Sequence, residues 1–367
     1  MTAGATPRQR QIWVDWLRAL CIVGIVLYHT PPTLFSNEKV NFYITAMSFC
    51  LPCFFLASGL VYRGEKYPTL LAFVKHRVRQ LLVPYFAFSL IFYTLWLVIG
   101  RRVATDDMAI AWWQPLVDMI AGKPSIVCAP LWFVTCLFTI QVIYYVIERL
   151  VPRRAVFVVS LAITLIYLTV SALLPDVDMH IDVWKLSDAI FFLPVYAAGN
   201  RFKQPLATWR PSTGNGIAAA VTAIAGFTLA YTALSAFYSA PATVGGHSLA
   251  PASFLDDRMP FFRLLAVFMI LPLPVAVAKW CERLWGQRRL IVRIVSYGVL
   301  YLAMQNYGIG VYKIAATKLF GDTFIDNAYC LKYVVAPVLI AVITVIGIFL
   351  DRYYPAILGH TRPSTRR

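Results

Sequence analysis

Apolar runs of roughly 17–25 residues, the length an α-helix needs to cross a hydrocarbon core, alternate with short polar breaks along almost the whole chain. They fall at residues 12–31, 41–62, 81–100, 130–149, 155–174, 184–200, 216–239, 261–279, 294–312 and 333–354. The pattern predicts an all-α fold: a polytopic integral membrane protein of about ten transmembrane helices. No break is rich enough in Gly or Ser to act as a linker, and no internal repeat or low-complexity run interrupts the pattern. Residues 12–355 therefore read as a single membrane domain, with solvated cytoplasmic tails at 1–11 and 356–367. The first apolar run is long and is followed by no small-residue cleavage site, so it reads as a span and not as a cleavable signal.

Composition supports this class. The 367 residues are 60% hydrophobic and 14% charged, with a mean hydropathy of +0.68, well above a soluble domain of this size. A net charge of +16 raises the question of nucleic acid, and the distribution answers it. Most Lys and Arg lie in alternate breaks: Arg8 and Arg10, Arg63 to Arg79, Arg149 to Arg154, Arg201 to Arg210, Lys279 to Arg293, and the C-terminus. Most Asp and Glu lie in the others, from Glu38 to Asp326. That bias puts both termini in the cytoplasm, requires an even span count, and suits the inner (cytoplasmic) membrane. The partner implied by the charge is a lipid bilayer, with no nucleic acid.

Several chemistries lose their footing. There is no His-Glu-x-x-His run and no Walker-type Gly-rich loop, and no two of the five histidines stand at metal-ligand spacing, so neither ATP-driven chemistry nor a metal site is expected. Cys50-Leu-Pro-Cys53 has redox spacing but sits in an apolar span beside Pro52, where small packing residues are the plainer reading. Cys128 and Cys330 fall on the same outer side, in a compartment where a disulfide is chemically allowed.

Two stretches carry candidate chemistry. The first span, WVDWLRALCIVGIVLYH, holds Asp15, Arg18 and His29. A charge at mid-membrane costs about 2.5–3.5 kcal/mol on insertion scales, so these groups face protein and not lipid. Arg18 and His29 are eleven residues apart, which places them on one helical face ~16 Å apart along the axis. Asp15, three residues before Arg18, offsets its charge. A polar packing stripe without chemistry is the plain alternative. The second stretch is the basic run after span 2, with Arg63, Lys66, Lys75, His76, Arg77 and Arg79 just before LLVPYFAF. Arginine forks suit phosphate oxygens, although the positive-inside bias by itself also accounts for such a run.

These residues resemble a known family. WVDWLRALCIVGIVLYH is similar to the first span of the membrane-bound type-3 acyltransferases, particularly the fucose 4-O-acetylase-like branch, with its Asp, its Lys or Arg three residues on, and its His at the far end. Phe54 to Leu60 resembles that family's F-F-x-x-S-G motif, and Arg77 to Tyr85 (RVRQLLVPY) its basic run before Pro-Tyr. Leu131 to Val134 resembles its span-4 opening, and Phe191 to Arg201 its span 6. Two departures stand out. Arg77-Val-Arg79-Gln80 replaces the regular R-x-x-R, and Gln305 with Asn306 stands near where relatives often carry a His.

The resemblance implies transfer of an acetyl group from cytoplasmic acetyl-CoA, the acyl donor, to a sugar hydroxyl of an exported glycan. The acceptor is then an exopolysaccharide repeat unit or a lipid-linked sugar. Arg77, Arg79 and Lys75 would hold the CoA phosphates, and Arg18, charge-balanced by Asp15, would line the passage or steady the thioester. His29 would act as general base or carry the acetyl group. Two other classes compete. A transporter or flippase for a lipid-linked sugar also needs a polar stripe in a span, and a non-catalytic scaffold leaves Asp15, Arg18 and His29 without a task.

Overall fold

The computed structural model describes residues 11–32, 42–100, 110–125, 127, 129–174, 180–239, 243–244, 247–248, 252–321, 324 and 330–360. The chain is built from helices: α1 (Ile12–His29), α2 (Leu51–Leu60), α3 (Leu70–Arg77), α4 (Val83–Leu95), α5 (Gln114–Ile120), α6 (Trp132–Leu150), α7 (Val156–Leu173) and α8 (Leu186–Arg201). There follow α9 (Lys203–Thr208), α10 (Thr213–Ser239), α11 (Ala252–Ile270), α12 (Pro272–Trp285), α13 (Arg289–Ser296), α14 (Gly298–Phe320) and α15 (Lys332–Tyr353). A two-residue antiparallel pair, Thr243–Val244 with His247–Ser248, sits between α10 and α11. Among the described residues seven helices are long and apolar enough to cross a membrane: Ile12–His29, Leu70–Ile99, Ala129–Leu150, Val156–Leu173, Thr213–Thr232, Phe261–Trp285 and Lys332–Tyr353. Ile44–Leu60 is a shorter apolar helix. The protein is thus all-helical and polytopic.

Proline and local hydrogen bonding explain where the helices bend. Wide π-type turns at Phe42–Cys50 and Val78–Leu82 lie just ahead of Pro52 and Pro84. A proline brings no N–H to the carbonyl four residues back and clashes with it, and a wider turn relieves both faults. The carbonyl freed ahead of Pro84 is that of Gln80. At its start α1 is tied to the end of α12: the Trp13 backbone N–H donates to Glu282 Oε1 (3.3 Å) and Trp16 Nε1 donates to the Gly286 carbonyl (2.9 Å). An acidic group there also complements the positive end of the helix.

The core places α1 between α2 and α14. Gly24 faces Cys50, and the free thiols of Cys21 and Cys53 share a hydrogen bond, so α1 and α2 run antiparallel. The contact of α2 with α8 is closer still. A Cβ on Gly59 would collide with the Tyr196 carbonyl, and one on Gly199 with the Leu56 carbonyl. Small residues let two backbones meet in this way, the role that the Ser58-Gly59 pair suggests in sequence. Phe55 stacks on Phe192 (4.7 Å) one turn away and sets the two helices parallel.

Because the obstacle at these glycines is main chain, which cannot swing aside, Gly59→Ala and Gly199→Ala are each expected to destabilise by about 1–3 kcal/mol, the range for over-packing. Gly310→Ala, with nothing within 4 Å of its new Cβ, is expected to leave the melting temperature in detergent unchanged or slightly raised.

Candidate active site at the start of the first helix

Asp15 is 7% exposed and Arg18 half-buried, one turn apart on α1. Arg18 opens onto a cavity of about 280 Å³ that it lines together with Ser58, Arg77, Gln80, Gln141 and His360, under an upper wall of Ile22, Phe54 and Leu302. Arg77 is positioned by the turn after α3. Its Nη1 donates to Gln80 Oε1 (2.7 Å), its guanidinium lies 5.0 Å over the Phe73 ring, and its Nε is buried with no partner. The Gln141 Oε1 atom is likewise buried and unpaired. A cavity with two guanidinium groups, an unmet donor at Arg77 Nε and an unmet acceptor at Gln141 Oε1 suits an anionic, hydrogen-bonding ligand. Arg79 and Lys75 are exposed and lie outside this lining. The structure brings Arg18 and Arg77 together, then, and leaves the other two basic candidates on the surface.

The remaining wall comes from the chain's end. After α15 the segment Pro355–Leu358 forms a 3-10 turn with Pro355 and Leu358 buried. Gly359 follows at φ +73°, a left-handed conformation, where an added Cβ would crowd the Gln80 carbonyl. This seats His360 with Nδ1 2.7 Å from Asp351 Oδ1 and Nε2 3.2 Å from the Ser296 carbonyl. Hydropathy places residues 356–360 in a solvated tail. Packing of Gly359 against Gln80 and Pro84 holds this stretch against the helices as far as His360.

His29 closes the far end of α1. Its ring meets the edge of Tyr28 (4.6 Å), and both ring nitrogens are shielded with no hydrogen-bond partner. It does not line the cavity around Arg18, which on α1 reaches Ile22, seven residues or ~10 Å short of it by helical rise. Beside Tyr28, a larger apolar cavity of about 580 Å³ lies between α1, the 42–50 turn, α10 and the start of α15. Lys332 borders it, buried, with Nζ donating to the Pro32 carbonyl (3.0 Å).

A sequence model of an acyltransferase domain matches residues 11–350, nearly the whole chain. The chain belongs to the type-3 acyltransferase family. No curated protein and no solved structure matches it. The acyltransferase is a multi-pass membrane enzyme, with an acyl donor and an acceptor as its partners.

Several features of the acyltransferase left no signal in its sequence. His360 and Gln80 reach the cavity through long-range packing. On the opposite side of the fold, Trp184 and Lys185 both take φ +51°, an uncommon conformation for residues other than glycine. That turn buries Lys185 between Asp182 (2.5 Å) and Asp188 (2.8 Å), with Nζ 5.4 Å over Trp132. Burial by itself would raise the Asp182 carboxyl, but the hydrogen bond and charge of Lys185 outweigh it and hold the group below the usual carboxylate range. Cys128 lies outside the described residues, and Cys330 is exposed.

Gly359→Val is expected to release the C-terminal wall, raising protease cleavage after Tyr353 and weakening donor binding while the helical circular dichroism is kept. For the outer cluster, a depressed folded-state value means stability present above the ordinary carboxylate range near ~3.9 and lost as pH falls through the lower value. The acid-side fall in melting temperature below about pH 4 is expected to shrink in Lys185→Met.

Proposed function

We propose that this acyltransferase moves an acetyl group from cytoplasmic acetyl-CoA to a sugar hydroxyl of an exported glycan, as an enzyme of the inner membrane with ten spans and both termini in the cytoplasm. The observation that carries the reading is the inner cavity, where Arg18 and Arg77 meet at the foot of the helix that ends in His29. A helix lies in each of the ten apolar stretches, and α1 runs antiparallel to α2, as alternate crossing requires. The basic excess in the breaks on the Arg77 side supports its placement in the cytoplasm.

The cavity volume divides the donor. A space of about 280 Å³ is roughly nine water volumes. It takes the acyl end of the pantetheine arm and leaves the nucleotide at the mouth, within reach of exposed Lys75 and Arg79. Arg77, with an unmet buried N–H, binds a phosphate or the arm's amide oxygens. The arm then extends past Ile22, Phe54 and Leu302 toward His29. There the imidazole takes the proton of the attacking hydroxyl as general base, or carries the acetyl group itself. The apolar cavity beside Tyr28 would seat the chain of a lipid-linked acceptor, one form the exopolysaccharide repeat unit takes before export.

His29→Ala is expected to lower transfer of labelled acetyl from acetyl-CoA to glycan by ~10²–10⁴-fold, the range for losing a general base, while acetyl-CoA still binds. Arg77→Ala is expected to raise the KM for acetyl-CoA more than Arg79→Ala does, by a factor that shrinks at higher salt, where the lost charge is screened in wild type as well. Equal effects of the two substitutions would place the nucleotide elsewhere, and movement of glycan across the membrane without CoA release would make the protein a transporter.

A further inference from the structure

Gln305 is fully buried in α14, and neither its Oε1 nor its Nε2 has a hydrogen-bond partner. Buried amides without partners are rare in folded proteins, and one with both atoms unmet calls for a ligand. Its position relative to α1 follows from helical geometry. Ile22 Cδ1 lies 3.9 Å from where a Cβ on Gly298 would stand, so Ile22 and Gly298 face each other across the α1–α14 seam. The two helices run the same way. Gly308 faces Leu339, and the Tyr301 hydroxyl donates to the Ile340 carbonyl (3.2 Å), so α14 is antiparallel to α15. Lys332, at the start of α15, bonds Pro32 just past the end of α1.

From that shared level, His29 is seven residues beyond Ile22 and Gln305 is seven beyond Gly298. Seven residues are two helical turns less ~20°, a rise of ~10 Å on each helix. Each residue therefore returns to the face its predecessor turns toward the seam, at the same height. By this register the imidazole, with both nitrogens unpaired, and the carboxamide, with both atoms unpaired, stand at one height along the α1–α14 seam.

We infer that Gln305 is a catalytic residue, its carboxamide N–H holding the acyl carbonyl oxygen while His29 takes the proton of the attacking hydroxyl. The inference rests on the acetyl-transfer reading above. The sugar oxygen forms a bond to the thioester carbon as its proton passes to the imidazole. The carbonyl oxygen takes up the negative charge and is held by Gln305 Nε2. Collapse then breaks the C–S bond, and the departing thiolate receives the proton from the imidazolium, giving the sugar ester and free CoA. A donor aimed at the oxygen where charge develops is worth most in a site that excludes water.

The test compares wild type with Gln305→Leu and Gln305→Glu in detergent-purified protein, using labelled acetyl-CoA and the lipid-linked oligosaccharide fraction of the producing cells, with melting temperature read alongside. Gln305→Leu keeps the volume and removes two unmet polar atoms. The expected result is a kcat lowered ~10²–10³-fold, an unchanged KM for acetyl-CoA and a melting temperature equal to or above wild type. Gln305→Glu is expected to lose kcat similarly. Wild-type turnover in Gln305→Leu overturns the assignment, as does a loss of turnover that comes with a lower melting temperature and a raised KM, which marks a structural role. If wild type transfers no label from acetyl-CoA, the acetyl-transfer reading falls and takes this one with it; wild-type transfer with an unaffected Leu variant overturns this one alone.

Discussion

The fold depends on the need to keep a guanidinium and a carboxylate out of hydrocarbon while they ride on a helix as apolar as lipid. Asp15 and Arg18 cannot face acyl chains, so α1 has to be enclosed, and the helices around it do so with unusual closeness. α2 covers one side, α12 ties down the start through Glu282 and the Gly286 carbonyl, and α14 closes another flank. Near the start of α1 the enclosure opens where Arg18, Arg77 and the C-terminal turn leave a polar cavity, and near its end it opens onto the apolar cavity beside Tyr28. What looks like a functional pocket is thus also what makes the central helix tolerable in a membrane. The two demands act on the same residues.

Part of this was legible in the residues themselves. The length of the apolar runs gave the class, because a bilayer imposes a fixed helix length that composition cannot hide. The stripe of Asp15, Arg18 and His29 was visible because charges in such a run are costly enough to need a reason. Ser58-Gly59 announced a close helix contact, since small residues in a span have few other uses. Arg77 stood out, but nothing in sequence separated it from Arg79. The turn ahead of Pro84 decides that Arg77 faces the cavity and Arg79 the surface.

Other parts were illegible for physical reasons. His360 looks like a tail residue because its partners, Asp351 and the Ser296 carbonyl, are assembled by helix ends distant in sequence. The left-handed turn at Trp184 and Lys185 breaks the rule that such backbone carries glycine, and is held by Trp184 N–H donating to the Ala121 carbonyl and by Thr139 Oγ1 donating to the Trp184 carbonyl. Gln305 stands in sequence near where relatives often carry a His, but its placement relative to His29 is invisible until the register with α1 is known. In each case the information resides in which helices touch, and at what height.

The paired glycines between α2 and α8 bear on how a substrate arm could travel along α1. Two backbones in direct contact have no side-chain layer to compress, so that pair behaves as a fixed strut and cannot slide by a fraction of a turn without collision. On the other flank, the cavity that Arg18 lines is bounded by the side chains of Ile22, Phe54 and Leu302, which change rotamer without moving a helix. On the acetyl-transfer reading, a route toward His29 is therefore expected to open by side-chain gating within a stationary frame and not by rocking between two halves of the molecule.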